Sequence, residues 1–528
     1  MVCPERVAVA DTGHGTLPIW RRALLPAGNK RSPAAGRDQP GGFCEGFARG
    51  TMPAGERTTL RVLPRSGLIF ACLVAVMVTL PAPAGAGPLR TGIVDPGNFS
   101  SPGKDQAFSR TRDAGASVAR LILAWRNVAP DVPPAGFEPT NPADPAYDWS
   151  GFDAQVRAAA AQELRPLVTV QVAPAWAETP AGGPPGTNRP DAAAFGAFAA
   201  AAATRYSGSF VPPGETSPLP RVRFWQAWNE PNRNYFLMPQ FEGGVVVSAR
   251  IYRQLVNSLA DAVRGVSPTN VVVAGGLAPL GRVGKPAPIR FMKAFLAAPA
   301  KFDVWSHHPY TSGGPTHKAA GRGNVTLGSL PTMRKLLRQF VRAGRVKSRG
   351  KVQFWVTEFS WDTKPPDPKA LPTNLHARWT AEALYRMWRQ NITLVTWYRI
   401  QDDPLKGPFG TPYQSGFYTV KGAPKKSLRA FRFPFVALRE PDRIRVWGRT
   451  PTSRPGRVVI QIRARGGWRQ LTTVRANSAG IFKRVVRTPY RSGVLRARYT
   501  GEVSLGFSLT PVKNRWVNPF GCGGPIRC

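Results

Sequence analysis

From residue 87 to about 435 the chain repeats one pattern eight times. A short apolar run rich in β-branched and aromatic residues gives way to a polar or amphipathic stretch. The apolar runs are Thr91–Asp95, Val118–Ala124, Pro166–Val172, Val222–Trp228, Asn270–Gly275, Phe302–His307, Val352–Glu358 and Thr393–Tyr398. Helical spacing recurs between them in Phe152–Gln162, Ala192–Tyr206, Ala249–Val263, Ile289–Leu296, Leu330–Ala343 and Leu375–Arg389. Strands that alternate with helices pair in parallel, because each helix carries the chain back to the starting edge. Eight such units predict a (β/α)8 barrel over residues 87–437. A doubly wound open sheet is the competing arrangement, but no Gly-rich phosphate fingerprint follows the first strand. In a barrel, reactive groups sit at the C-terminal ends of the strands.

Two glutamates occupy that position. Glu230 closes the run Phe224-Trp225-Gln226-Ala227-Trp228-Asn229-Glu230-Pro231-Asn232, and Glu358 closes Phe354-Trp355-Val356-Thr357-Glu358-Phe359. Strand counting places them after the fourth and seventh strands. A carboxylate among tryptophans is poorly solvated, so its charged form is disfavoured unless a neighbour compensates. Two such groups meeting in one cleft are the equipment for cleaving a glycosidic bond.

With Trp228-Asn229-Glu230-Pro231-Asn232 and Thr357-Glu358-Phe359 in place, the region 90–435 resembles the clan-A glycoside hydrolases, nearest to families 5 and 39. The resemblance implies a retaining glycosidase acting on an oligo- or polysaccharide, with Glu230 as general acid/base and Glu358 as nucleophile. It implies further roles: Asn229 donating to the sugar 2-hydroxyl, Tyr310 bonding the nucleophile, His308 within a His-x-Tyr pattern, and Arg120 supporting Glu358. Trp397 resembles the aromatic floor of the cleavage subsite, and Trp176 is a second candidate platform; a ring can stack on the apolar face of a sugar. Trp305, Trp361 and Asp402 are further subsite candidates. The loop after strand three carries Gln171 to Trp176 where family 5 has a histidine, and Tyr147-Asp148-Trp149 reads like family 39. A transglycosylase would use the same residues; a carbohydrate-binding or wall-associated protein on the same scaffold without activity is the other alternative, which loss of either glutamate would mark, and both glutamates are present. No spacing of His, Asp and Glu suggests a metal ligand set, and no metal or cofactor is expected.

The formal net charge is +42, from 72 Lys and Arg against 30 Asp and Glu. The cations are scattered and no nucleic-acid-binding motif accompanies them, so nucleic acid is not the expected partner. An acidic glycan is the better match for the charge. Arg57, Arg61 and Arg65 precede an apolar stretch from Leu68 to Leu80, and Ala84-Gly85-Ala86 follows with small-x-small spacing. That layout predicts a secretory signal over 52–86, starting at Met52, and a secreted or surface-associated protein; a monomer is expected. Residues 1–51 lack periodicity and read as a disordered leader or a mis-assigned start. Cys522 and Cys528 in a Gly/Pro-rich tail, residues 513–528, suggest a small disulfide loop in an exported chain.

From about 440 the pattern changes to Val458–Arg463, Arg469–Val474, Ile481–Val486, Gly493–Tyr499 and Val503–Leu509, separated by turn residues. These predict a small antiparallel β-sandwich over 440–512. Residues 440–528 hold 18 Lys and Arg against 3 Asp and Glu, a net charge of +15. The sandwich is therefore expected to be either a basic spacer or a module that adheres to anionic cell-wall glycan.

Overall fold

The computed structural model describes residues 87–179, 183–405, 412–514 and 516–517. The leader, the signal segment, Cys522 and Cys528 lie outside the described residues. Eight parallel strands close into a barrel. They are β1 (Arg90–Val94), β2 (Val118–Ala124), β3 (Arg165–Gln171), β4 (Phe224–Ala227), β5 (Val271–Leu277), β6 (Val304–His307), β7 (Gln353–Val356) and β8 (Ile392–Tyr398). Each pairs with its sequence neighbours, and β1 closes on β8 with Ile93 opposite Trp397. The eight runs read from the sequence are these eight strands.

Strand parity then layers the interior. One inward residue from each of seven strands (Val118, Leu167, Phe224, Val273, Val304, Trp355 and Leu394) forms a separate apolar cluster. Side chains alternate with period two, so the next inward positions lie two residues further along. Apart from Gly275 on β5, those positions are Arg120, Thr169, Gln226, Ser306, Thr357 and Thr396, all polar and all buried. An apolar floor thus lies beneath a polar layer that opens toward the C-terminal ends of the strands. Outward-facing residues meet the helices. Trp305 packs on Phe295 and Phe302, and its Nε1 points at Met333 Sδ, 3.3 Å away.

After the helix Lys426–Arg432 come two antiparallel sheets. One comprises Phe435–Arg439, Arg443–Arg449 and Ile481–Arg487. The other is built on Gly456–Ala464, flanked by Gly467–Ala476 and Val494–Tyr499. The sequence missed the strands Phe435–Arg439 and Arg443–Arg449, and the second of them carries two of the side chains that join the sheets to the barrel. Trp447 lies 5.4 Å from the Tyr385 ring and 5.5 Å from the Trp388 ring on the helix Thr373–Arg389. Arg449 is buried and donates to Thr91 Oγ1 on β1 at 2.9 Å. Arg378 donates to Ser508 O and lies over the Phe507 ring. Barrel and sheets share one hydrophobic core.

Trp447→Ala should therefore destabilise the whole described body. The expected loss is ~3–5 kcal/mol, the usual range for removing a buried aromatic ring. Calorimetry should show one transition moving down; a barrel transition left in place would mean that the sheets unfold independently.

Candidate active site

The site begins where β4 ends. Trp228 and Glu230 both have positive φ, +60° and +37°, and frame Asn229. Side chains other than glycine rarely adopt this region, at a cost of roughly 1–2 kcal/mol per residue. The turn breaks strand alternation, so consecutive residues can face the same cavity. Trp228 is turned into the core, donating to Phe236 O and packing on Phe195. Asn229 and Glu230 face the polar layer. Glu230 N donates to Gly276 O at 3.1 Å, tying the turn to β5. Gly276 itself has φ +59°, and a Cβ there would come within 2.7 Å of Gln226 Nε2.

Arg120 lies at the centre. Its Nε donates to Thr169 Oγ1 (3.0 Å), its Nη1 to Thr357 O (3.1 Å) and Glu358 Oε2 (3.0 Å), and its Nη2 to Asn229 Oδ1 (2.7 Å). The bond to Oδ1 fixes which way the Asn229 amide points, leaving its NH2 to donate elsewhere. Glu358 Oε1 accepts from the Tyr310 hydroxyl at 2.8 Å. Both donors complement a negative charge on Glu358.

The two glutamates share one imidazole. His308 Nδ1 is 3.0 Å from Glu230 Oε1 and 3.8 Å from Glu358 Oε2, and Nε2 is 3.1 Å from Thr357 Oγ1. Two oxygens so close to one nitrogen are less than ~7 Å apart, a bound that includes the roughly 5–5.5 Å carboxyl spacing of retaining glycosidases. Burial pushes the imidazole down to about 3, so His308 is neutral near pH 7. The adjacent His307 points elsewhere, its Nε2 2.7 Å from Val325 O.

Burial raises the Glu230 carboxyl to about 7, with Arg233 and Arg120 opposing the shift. The two carboxyls therefore sit in unlike surroundings. Glu358 accepts directly from a guanidinium and a phenol, whereas among the described residues only the neutral imidazole of His308 is within ion-pair distance of Glu230.

Of the residues singled out from sequence, Glu230, Glu358, Asn229, Arg120, His308 and Tyr310 converge here. Trp397 does not. It has the outward parity on β8, is fully buried, and packs against Phe417, Phe431, His376 and Trp361, with its Nε1 donating to Ser415 O. The inward position belongs to Tyr398, two residues beyond Thr396, which stands edge-on to Tyr413 at 5.1 Å. Strand parity counted from Leu394 would have found it. Trp176 is half-buried in the loop after β3, held edge-on to Trp125 and bonded to Pro130 O. Trp305 and Trp361 are core residues. Asp402 pairs with Lys425 at 2.6 Å inside the loop after β8. Thr169, Thr357 and Arg233 belong to the site and were not singled out. No group of three or more metal-ligating side chains occurs among the described residues.

No family model matches the sequence, and no curated protein is similar to it. Similar solved structures include a family 39 glycoside hydrolase from Bacteroides cellulosilyticus WH2, with 19% identity, 76% of this chain and 79% of that chain covered, and a TM-score of 0.46. A glucosidase from Croceicoccus marinus has 15% identity, coverage of 75% and 92%, and a TM-score of 0.42. A GH30 endoxylanase from Clostridium papyrosolvens C71 has 13% identity, coverage of 76% and 94%, and a TM-score of 0.40. Likenesses this distant do not carry function, which has to come from the chemistry of the site.

The raised Glu230 value has a consequence for stability. The folded carboxyl, at about 7, holds its proton more tightly than an ordinary carboxyl at 4.5. Its contribution is fully present below pH 4.5 and is lost as pH rises through about 7. Glu230→Gln is neutral throughout, so it should gain on the parent between pH 4 and pH 8 by up to ~3 kcal/mol. Melting temperatures of both proteins at the two pH values measure this; a difference independent of pH would show that Glu230 does not titrate in the window.

Proposed function

We propose that this chain is a retaining glycoside hydrolase acting on an oligo- or polysaccharide. The observation that carries the reading is the pair of carboxyls on one imidazole in opposite environments. Glu230, raised to about 7, suits a general acid; Glu358, held by Arg120 and Tyr310, suits a nucleophile. In the first step Glu358 attacks the anomeric carbon while Glu230 gives its proton to the departing glycosidic oxygen. In the second, Glu230 takes a proton from water, which attacks the same carbon and releases Glu358. Asn229, its amide oriented by Arg120, offers its NH2 to the sugar 2-hydroxyl. Tyr398, at the inward end of β8, is the aromatic residue placed to meet the ring of the bound sugar. Export of the chain belongs to the same proposal and rests on the sequence of residues 52–86. Adhesion of the basic C-terminal sheets to anionic glycan rests on their charge.

A panel of aryl glycosides and polysaccharides tests the activity, and proton NMR of the first-formed product reads its anomeric configuration. Glu358→Ala should lose turnover by several orders of magnitude, since no covalent intermediate can form. Glu230→Ala should keep more activity on substrates with good leaving groups, and azide should rescue it by replacing the base-activated water. Net inversion, or full activity in either variant, would overturn the assignment.

A further inference from the structure

We propose that Arg233, with Arg282 and Lys285, forms a carboxylate-binding subsite for the leaving group, so that the sugar released on protonation by Glu230 is a uronic acid. This rests on the glycosidase reading and specifies the substrate class of that site.

Arg233 follows Glu230 by three residues, and the turn between them is closed by Arg233 N donating to Glu230 O at 2.8 Å. Its carbonyl accepts from Phe236 N and Leu237 N, so the backbone is held from both sides. The residue is only 3% exposed, yet Nε and Nη2 have no hydrogen-bond partner among the described residues. These two nitrogens form one edge of the guanidinium, the parallel pair of N–H groups that matches the two oxygens of a carboxylate. A buried cation without a partner is costly, and burial does push this guanidinium below its ordinary value.

The neighbours add positive charge. Arg282 and Lys285 lie on the turn after β5, closed by reciprocal backbone bonds of 2.9 and 3.0 Å. Lys285 Nζ is 4.4 Å from the centre of the Tyr235 ring. The charged and phenolic groups that act on Arg233 are Glu230, Arg282 and Tyr235. No carboxylate forms an ion pair with Arg233, Arg282 or Lys285 among the described residues. While Glu230 holds the proton that the acid step needs, it supplies no counter-charge to Arg233.

An excess of cations is general in this chain, and unpaired arginines on its surface need no ligand. Arg233 differs in being buried next to the proton donor with one edge unused. Position selects the subsite. Glu230 protonates the oxygen of the departing sugar, and Arg233, Arg282 and Lys285 all stand on the loops after β4 and β5. Glu358 stands after β7, with its partners Tyr310 after β6 and Arg120 on β2.

Calorimetric titration of the intact protein with D-glucuronate and with D-glucose, at pH 5.5 and low salt, tests the proposal without requiring turnover. The parent should bind glucuronate at least ~tenfold more tightly than glucose, the scale of one charge-assisted hydrogen bond. Arg233→Gln should abolish that preference, and Arg233→Lys should restore only part of it, lacking the planar edge. Arg282→Gln, on a half-exposed turn, should weaken glucuronate several-fold without changing glucose, and it serves if the Arg233 variants do not fold. A parent with equal affinity for the two sugars, or with no measurable uronate binding, overturns the subsite. The glycosidase reading is tested separately on neutral aryl glycosides: turnover abolished in Glu358→Ala with no uronate preference keeps the reading and removes the subsite. Uronate preference without turnover does the reverse.

Discussion

The buried guanidinium of Arg120 is the interaction on which the site depends. Four hydrogen bonds lead from it to residues on β3 and at the ends of β4 and β7, while its own backbone lies in β2. Removing a guanidinium and a carboxylate from water costs several kcal/mol per ion unless geometry and further hydrogen bonds offset it. Here every nitrogen of the guanidinium has a partner, so the cation is both compensated and immobilised. The consequences are specific. Asn229 is held with its NH2 turned away, Glu358 is pinned on the Arg120 side, and the end of β7 is fixed against β2. His308 then spans the gap between Glu358 and Glu230, with Thr357 holding its other nitrogen. The difference between the carboxyls follows from distance: one touches the cation, while the other feels it only through space.

That arrangement needs a rigid base and a sharp departure from it. The base is the apolar layer at the level of Val118, Trp355 and Leu394. The departure is the left-handed pair Trp228 and Glu230, whose conformational cost is offset by the buried Trp228 ring and the bond from Glu230 N to Gly276 O. A regular strand through 228–230 would send Asn229 and Glu230 to opposite faces, and only one could reach the polar layer.

Much of this was legible before the structure, and the misses share a cause. The eight strands and both carboxyl positions follow from periodicity and from where apolar runs stop. Arg120 was implied by the resemblance to clan-A hydrolases, and its four bonds show how a charge inside an apolar strand is accommodated. Trp397 was misplaced because residue type was weighed above parity: an aromatic at a strand end fits a sugar platform, but period two from Leu394 sends it to the helices and brings Tyr398 inward. Thr169 carries no signal at all, since threonine is ordinary in strands. Arg233 was invisible among 72 basic residues, because only burial distinguishes an arginine with an unused edge from one in solvent. The strands Phe435–Arg439 and Arg443–Arg449 were lost where the last barrel helix and the first sheet run together without a linker.

Those two strands show how the molecule separates stability from chemistry. Arg449 reaches Thr91 and Leu89, at the beginning of β1, so the C-terminal sheets brace the barrel at the end opposite Glu230 and Glu358. Trp447 clamps the helix Thr373–Arg389, which leads directly into β8, the strand that carries Tyr398. Support thus enters at strand beginnings and along a helix, whereas the functional groups are carried by strand ends and the loops beyond them. The loops after β4 and β5 bear Arg233, Arg282 and Lys285, and among the described residues none of these three bonds to the sheets. On the proposed reading, a substitution at Arg282 or Lys285 changes what the cleft recognises while leaving the floor, the Arg120 bonds and the bracing sheets untouched.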